Sequence, residues 1–502
     1  YDDITNDKTF KVGLDLSWNI IEHLTYNLRV GGNMNINDRS RWWGTQLTLG
    51  ANDNGILSLT NTDKNNYSVE NLLNWNSNIG KDITFGATVG VTYDDYGNVV
   101  KNTKGTDFEI KTLRTKGLQL ASKVDNQQPI QKDFQLLSYL GRVNFNFYEK
   151  YLLTASVRAD GSSKFREGKR WSYFPSASVA WRMEQEEFLK NTEWLDQLKV
   201  RVGYGQTGNQ SIDPYSTFSD YARVIDYATA KGDRLLALGV DKLQNDGLKW
   251  ERTTSWNAGV DFGFLHSRLT GTVDLYHKKT TDLLISRTLP ASSGFGSVML
   301  NQGSLSNKGI EISLNGEIIH SKDWSWNIGA NIGFNKSTIG DLGFEPADFG
   351  DLKQVRGYLG NSIGDHFGIA NIFLVDQAPG LFFGYKTDGI VQEEDIADGK
   401  GVKYTAPDGS TKYYTKDPSS GSVKPHAGDV KYVDMNGDGV IDENDKTIIG
   451  DPNPDFTYGF QTRVSWKSLS LSASFNGVYG ADRLNTNIRY NMTPATNAGN
   501  LT

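Results

Sequence analysis

Apolar and polar residues alternate strictly along much of this chain, which predicts strands with two unlike faces. Ile83, Phe85, Ala87, Val89, Val91 and Tyr93 alternate with Thr84, Gly86, Thr88, Gly90 and Thr92. Phe10, Val12, Leu14, Leu16, Trp18 and Ile20 alternate with Lys11, Gly13, Asp15, Ser17 and Asn19. The same period runs through Trp324, Trp326, Ile328, Ala330, Ile332 and Phe334. Runs of ~9–11 residues match a tilted strand crossing a bilayer. The pattern predicts about fourteen strands, near 10–20, 24–34, 69–79, 83–93, 135–147, 151–159, 173–183, 197–205, 250–264, 268–280, 308–319, 324–334, 458–466 and 469–479.

The connections carry more information than the strands. Short links at 21–23, 80–82, 148–150, 265–267, 320–323 and 467–468 alternate with long ones at 35–68, 94–134, 206–249, 281–307 and 335–457. One exception falls on the short side, the segment Glu184 to Asp196, whose EQEEFL run predicts a single helical turn. Sorting of this kind predicts an all-β, transmembrane antiparallel barrel with short periplasmic turns and long extracellular loops. A soluble sandwich has no reason to keep its long loops at one end. Lipid supplies no hydrogen bonds, so such a sheet must satisfy its backbone internally. Apolar positions then face lipid, and Asn, Thr, Gly, Asp and Arg face a wet interior. Trp18, Trp75, Trp181, Trp256, Trp324 and Trp466, at or near strand ends, are expected in interfacial girdles. Residues 1–502 read as one barrel portion, and their open strand pattern predicts a longer parent polypeptide.

Composition narrows the chemistry. With 52 basic and 59 acidic side chains the net charge is −7, which gives a nucleic-acid partner no electrostatic support. There is no Cys, so thiol nucleophiles and Cys-ligated metals are excluded. The six His are scattered. Gly203-Tyr204-Gly205-Gln206-Thr207-Gly208 has a dinucleotide-fingerprint spacing, but Asn209 to Pro214 after it is loop chemistry rather than a helix start. Glu184, Glu186 and Glu187 read as a solvated turn face, and no constellation supports catalysis.

Asp434 to Asp445 (DMNGDGVIDEND) reproduces the spacing of a calcium loop. Asp434, Asn436 and Asp438 supply side-chain oxygens, Val440 its carbonyl, Asp442 a direct or water-bridged contact, and Asp445 the closing carboxylate. Ile441 is expected to tuck inward. Asp445 stands where an EF-hand has a longer Glu. Hard oxygens in a flexible loop favour a structural Ca2+, a staple for the 335–457 loop. A second candidate is Arg39, Arg41, Trp42 and Trp43, at the start of a long loop, where guanidinium and indole groups suit a sugar ring or acidic solute. The plainer reading of the two indoles is girdle or loop packing.

Several stretches together resemble the SusC/RagA family of TonB-dependent outer-membrane transporters. They are Arg158 to Phe165 (RADGSSKF) followed by Arg170 to Ser176 (RWSYFPS), Leu198 to Asn209 (LKVRVGYGQTGN), Gly384 to Ile390 (GYKTDGI), Gly428 to Val433 (GDVKYV), and Asp451 to Phe456 (DPNPDF). The resemblance implies a 22-stranded barrel with a plugged lumen, of which this chain holds about fourteen strands. No plug, TonB box or final strand is read in it. It further implies the bacterial outer membrane, a SusD-like surface lipoprotein as lid, TonB acting through an N-terminal region, and an oligosaccharide or peptide cargo. Extra residues within 364–390, before the Gly-Tyr-Lys motif, predict a remodelled loop. The rival readings are a passive porin, a surface binding or adhesion barrel, and a soluble carbohydrate-binding β protein.

Overall fold

A computed structural model of the chain describes residues 1–127, 129–218, 220–228, 234–343, 357–359, 371–397, 400–415 and 426–485. The alternating runs become an antiparallel ladder in chain order. Its strands are β1 (Asp2–Ile21), β2 (Leu24–Trp43), β3 (Ile56–Ile79), β4 (Ile83–Phe108), β5 (Phe134–Phe147), β6 (Tyr151–Ser162), β7 (Trp171–Arg182), β8 (Leu195–Asn209), β9 (Glu251–Phe264), β10 (Leu269–Thr281), β11 (Ser304–His320), β12 (Trp324–Asp341), β13 (Phe456–Trp466) and β14 (Leu469–Tyr479). All fourteen predicted strands are present. Two units compose the chain, Tyr1–Val260 with Thr280–Gln302, and Asp261–Lys279 with Gly303–Thr502.

In the first unit the short links are tight turns. Tyr148 and Glu149, at φ of 55° and 56°, form the left-handed pair that matches strand twist in a hairpin. The predicted long links are shorter than expected. Strand β2 runs on to Trp43 and β3 starts at Ile56, in unbroken register from Leu24↔Trp75 to Trp43↔Ile56. Strand β4 continues to Phe108, and Ala121–Asn126 and Ile130–Gln131 pair back onto it. At roughly 3.3 Å per residue these ladders are far longer than a ~30 Å hydrocarbon core. The expectation failed because it ended strands where apolar alternation ended, and polar strands pair equally well in water. Asp220–Ala228 with Arg234–Leu243, and Leu284–Thr288 with Ser297–Asn301, add further sheet to the links at 206–249 and 281–307.

The Glu184 to Asp196 excursion opens with a 3-10 turn at Met183–Gln185. Its glutamates are not all a solvated face. Glu184 is buried and accepts from Arg182 Nε at 2.9 Å and Leu198 N at 3.2 Å. Glu186 accepts from Tyr151 Oη at 2.7 Å, Lys150 Nζ at 2.9 Å and Trp181 Nε1 at 3.0 Å, and these bonds pull its carboxyl down to about 2. Glu187 alone of the three is fully solvated. Glu186 is held across strands by Tyr151 and Lys150, 35 and 36 residues away, which no local pattern reports.

The second unit repeats the ladder from Ser304↔Asp341 through Trp324↔Trp466 to Phe456↔Tyr479. Between β12 and β13 lies a separate small fold. Leu381–Tyr385 pairs with Lys446–Gly450, Thr387–Ile390 with Val430–Tyr432, and Gly401–Thr405 with both Ile396–Ala397 and Thr411–Tyr414. Gly401 is obligatory there, because at φ 92° a Cβ would sit 2.1 Å from the Tyr414 carbonyl oxygen. Part of the stretch predicted to be remodelled, residues 364–370, lies outside the described residues.

Burial inverts the soluble pattern. Phe10, Leu14, Trp18, Val89, Leu471 and Phe475 are exposed. On the opposite face Arg29 lies 3.0 Å from Asp15 and 3.7 Å from Glu70, and Arg158 donates to Asp160 at 2.6 Å and Ser138 at 3.0 Å. Aromatic rings gather at the short-turn side, as in Tyr151 beside Trp181 and Trp324 stacked on Trp466. Trp256 departs from the expected girdle, lying within β9 against Tyr204 at 4.7 Å. Among the described residues the buried apolar clusters centre on Trp42, on Trp250 and on Tyr404, all on the long-loop side of the ladder.

Neighbouring residues of β13 test this assignment of faces. Phe460→Arg, on the lipid side, is expected to cost about 2–4 kcal/mol if it lies at mid-bilayer, whereas Gln461→Arg on the polar side is close to neutral. Urea unfolding in lipid vesicles measures both.

Candidate functional site

Two clusters were singled out from sequence, and one lies in each unit. The calcium-type loop belongs to the small fold of the second unit. Ile441 is fully buried, in contact with Val391, Val402, Tyr404, Tyr414 and Val433, and so anchors the loop as its position predicts. Asp434 Oδ1 and Oδ2 accept from Gly437 N at 2.5 Å and Gly439 N at 2.7 Å. Both glycines have positive φ, 77° and 83°, which is what lets the loop turn back on its first carboxylate. Asp445 Oδ1 accepts from Met435 N at 2.8 Å, and its Oδ2 from Asp442 N at 2.7 Å. The side-chain oxygens of Asn436, Asp438 and Asp442 each accept from the backbone amide two residues on.

Asp434 and Asp445 are both buried, and no described cation forms an ion pair with either. Burial, with Asp434 as a smaller contribution, pushes the Asp445 carboxyl up. Tyr404 donates to the Asp434 carbonyl at 3.2 Å, and burial pushes its phenol up to about 12. Two adjacent buried carboxylates in an all-oxygen loop fit a hard divalent cation. Among the described residues no three acidic or imidazole groups converge as a finished cage. The neighbouring Lys431 is bound elsewhere, to Asp395 at 3.1 Å.

The Arg39 to Trp43 cluster sits at the end of β2, on a strand rather than a loop. Its members separate by function. Trp42 is 3% exposed and meets Phe108 edge-on at 4.9 Å, beside the fully buried Leu57. Arg39 is committed to Asp3 through Nε at 2.9 Å and Nη2 at 2.6 Å, which holds the Asp3 carboxyl at about 2. Arg41 lies over the Trp43 ring at 5.2 Å, and its Nε is buried without a hydrogen-bond partner among the described residues. Trp43 also meets Tyr1 at 5.6 Å. The glycine-spaced stretch at Gly203 to Gly208 is part of β8, with no helix after it to meet a pyrophosphate.

Sequence reasoning passed over Lys164, which lies inside the RADGSSKF stretch. Its Nζ sits 4.1 Å above the Phe134 ring and donates to the Gln210 carbonyl at 3.3 Å. Burial pulls its pKa below the usual lysine value, with Asp213 acting the other way.

Residues 1–363 match the family described as TonB dependent receptor-like, beta-barrel. The chain belongs to that family. It is 31% identical over 446 residues to TonB-dependent receptor P26 of Formosa agariphila, covering 88% of this chain and 42% of that protein. To TonB-dependent receptor SusC of Bacteroides thetaiotaomicron it is 30% identical over 498 residues, covering 94% and 44%. This chain therefore spans less than half the length of the curated relatives it matches. A structure of the RagAB peptide importer in its closed-closed state superposes with a TM-score of 0.75 at 23% identity, covering 95% of this chain and 48% of that one, which establishes a shared fold. The motif resemblance to SusC and RagA agrees with these relatives. The barrel is thus an outer-membrane one, in a family of transport receptors rather than enzymes.

Trp42→Ala removes the centre of its cluster, and a loss of about 3–5 kcal/mol is expected from the cavity. Trp43→Ala, on the polar face with Arg39 and outside that cluster, is expected to shift the urea midpoint in detergent far less.

Proposed function

We propose that this chain is the barrel portion of a TonB-dependent importer of large nutrients, oligosaccharides or peptides, working beneath a SusD-like lipoprotein lid. The observation that carries this reading is a family barrel ladder whose longest connections leave from one side, with the 183–194 excursion the exception on the other. In such a protein the ladder is a scaffold, the elaborated loops meet lid and cargo, and the polar face lets a hydrated solute pass. Force arrives from TonB through a segment preceding the barrel. Of the Arg39 to Trp43 cluster, Arg41 and Trp43 are the members left to meet cargo, since Trp42 is buried and Arg39 is held by Asp3. Loss of growth on one glycan or peptide, in a strain lacking the gene and equally in a strain lacking TonB, is the expected outcome across a nutrient panel. Growth that survives loss of TonB points to a passive porin.

Within the small fold, Ca2+ is held by Asp434, Asn436, Asp438, the Val440 carbonyl, Asp442 and Asp445. It supplies counter-charge to two buried carboxylates and rigidity to the loop, and no chemistry passes through it. Chelation is expected to speed proteolysis within 386–450 and to weaken lid association. Asp434→Ala with Asp438→Ala should be cleaved at one rate with or without calcium. If the double variant keeps the metal content of the parent, the loop is a turn and nothing more.

A further inference from the structure

A cavity of about 560 Å3 in the first unit belongs to neither cluster. Its floor is apolar, made by the buried Ile212 and by Met299, which both pack with Phe165 and Trp250. Ser211, Ser216, Ser286 and Ser297 line its wall, and its charged members are Lys164 and Asp213. Four chain segments far apart in sequence therefore converge here: the β6–β7 turn, the segment after β8, the end of the strand Arg234–Leu243, and the hairpin at 284–301.

Lys164 is the unbalanced group. An ammonium has three donors, and one of these goes to the Gln210 carbonyl. The nearest acid, Asp213, is held by Lys132 at 2.9 Å. No carboxylate among the described residues reaches ion-pair distance of Lys164. A half-buried cation without a counter-ion loses solvation that an incoming anion restores. The ammonium itself sits over the Phe134 ring at 4.1 Å, which holds the head in place rather than free to swing into solvent.

The ligand follows from these complements. Serine hydroxyls both donate and accept, as sugar hydroxyls do, and the Asp213 carboxylate beside them, held by Lys132, can accept from a sugar hydroxyl as well. An apolar floor suits the C–H face of a pyranose ring. We propose that this cavity is a cargo subsite for a uronic-acid unit of an oligosaccharide, with its carboxylate on Lys164, its hydroxyls on Ser216, Ser286 and Ser297, and its ring over Ile212 and Met299. The assignment rests on the import reading and narrows its cargo to acidic glycans.

Calorimetry on the purified full-length protein in detergent tests it with trigalacturonate, the neutral methyl ester of the same trimer, and a tripeptide carrying one free carboxylate. Trigalacturonate should bind about tenfold more tightly than its ester, and less so as salt rises. Lys164→Met keeps an unbranched apolar side chain without the charge and should bring acid and ester to one affinity, while Lys164→Arg should keep the preference. Heat-modifiable mobility of the barrel on gels checks that each variant is folded. No preference in the parent protein, a preference that survives Lys164→Met, or tighter binding of the tripeptide overturns the subsite. Those results leave TonB-dependent growth untouched as a separate readout. Growth independent of TonB, with Lys164-dependent binding intact, overturns the importer and spares the subsite.

Discussion

In hydrocarbon a backbone amide has no partner but another backbone group, and this constraint organises the chain. Pairing is accordingly close to continuous where strands are apolar on one side, and the shifts in β1 and β11 fall near strand ends. From Phe456↔Tyr479 to Trp466↔Leu469 no residue drops out of register, and the same holds from Ile56↔Thr106 to Ile79↔Ile83. Short turns follow from the constraint, since a link on the periplasmic side that strays into lipid leaves groups unsatisfied. The ladder does not end at the headgroups. Beyond them Asn61, Asp63 and Asn65 still pair with Lys101, Val99 and Gly97, now with polar residues on both faces.

A sheet that meets lipid on one side and water on the other needs no dry centre, so cores form elsewhere. Trp42 with Phe108, Phe165 with Trp250, and Tyr404 with Tyr414 each consolidate a connection on the long-link side. This gives the loops fixed shapes on a rigid scaffold, the arrangement in which recognition surfaces usually lie. Ion pairs fall at both ends of the ladder as well as within it. Arg39 with Asp3, Lys132 with Asp213, Lys150 with Glu186 and Lys431 with Asp395 bind connections or strand ends. Against these pairs, Asp434, Asp445 and Lys164 stand out, since among the described residues none of them has an ion-pair partner.

Strand number, order and the side of each turn were legible in the residues alone. Alternation at period two is a local signal, and a turn of two or three residues leaves consecutive strands only one way to pair. The calcium-type loop was legible for the same reason, because its ligand spacing and its inward Ile441 lie within twelve consecutive positions of sequence. What the sequence concealed is non-local. Strands outlast their apolar alternation because water permits it. Trp42 belongs to a core only once β2, β3 and β4 bring Leu57 and Phe108 beside it. Glu186 is ordered by Tyr151 and Lys150 from another hairpin, and Lys164 meets Ile212 and Met299 only after distant segments fold together. By itself, then, the sequence determined the ladder and its motifs, which depend on neighbours along the chain. Only the tertiary structure decided which of the singled-out side chains are buried, matched or left open, because that depends on neighbours in space.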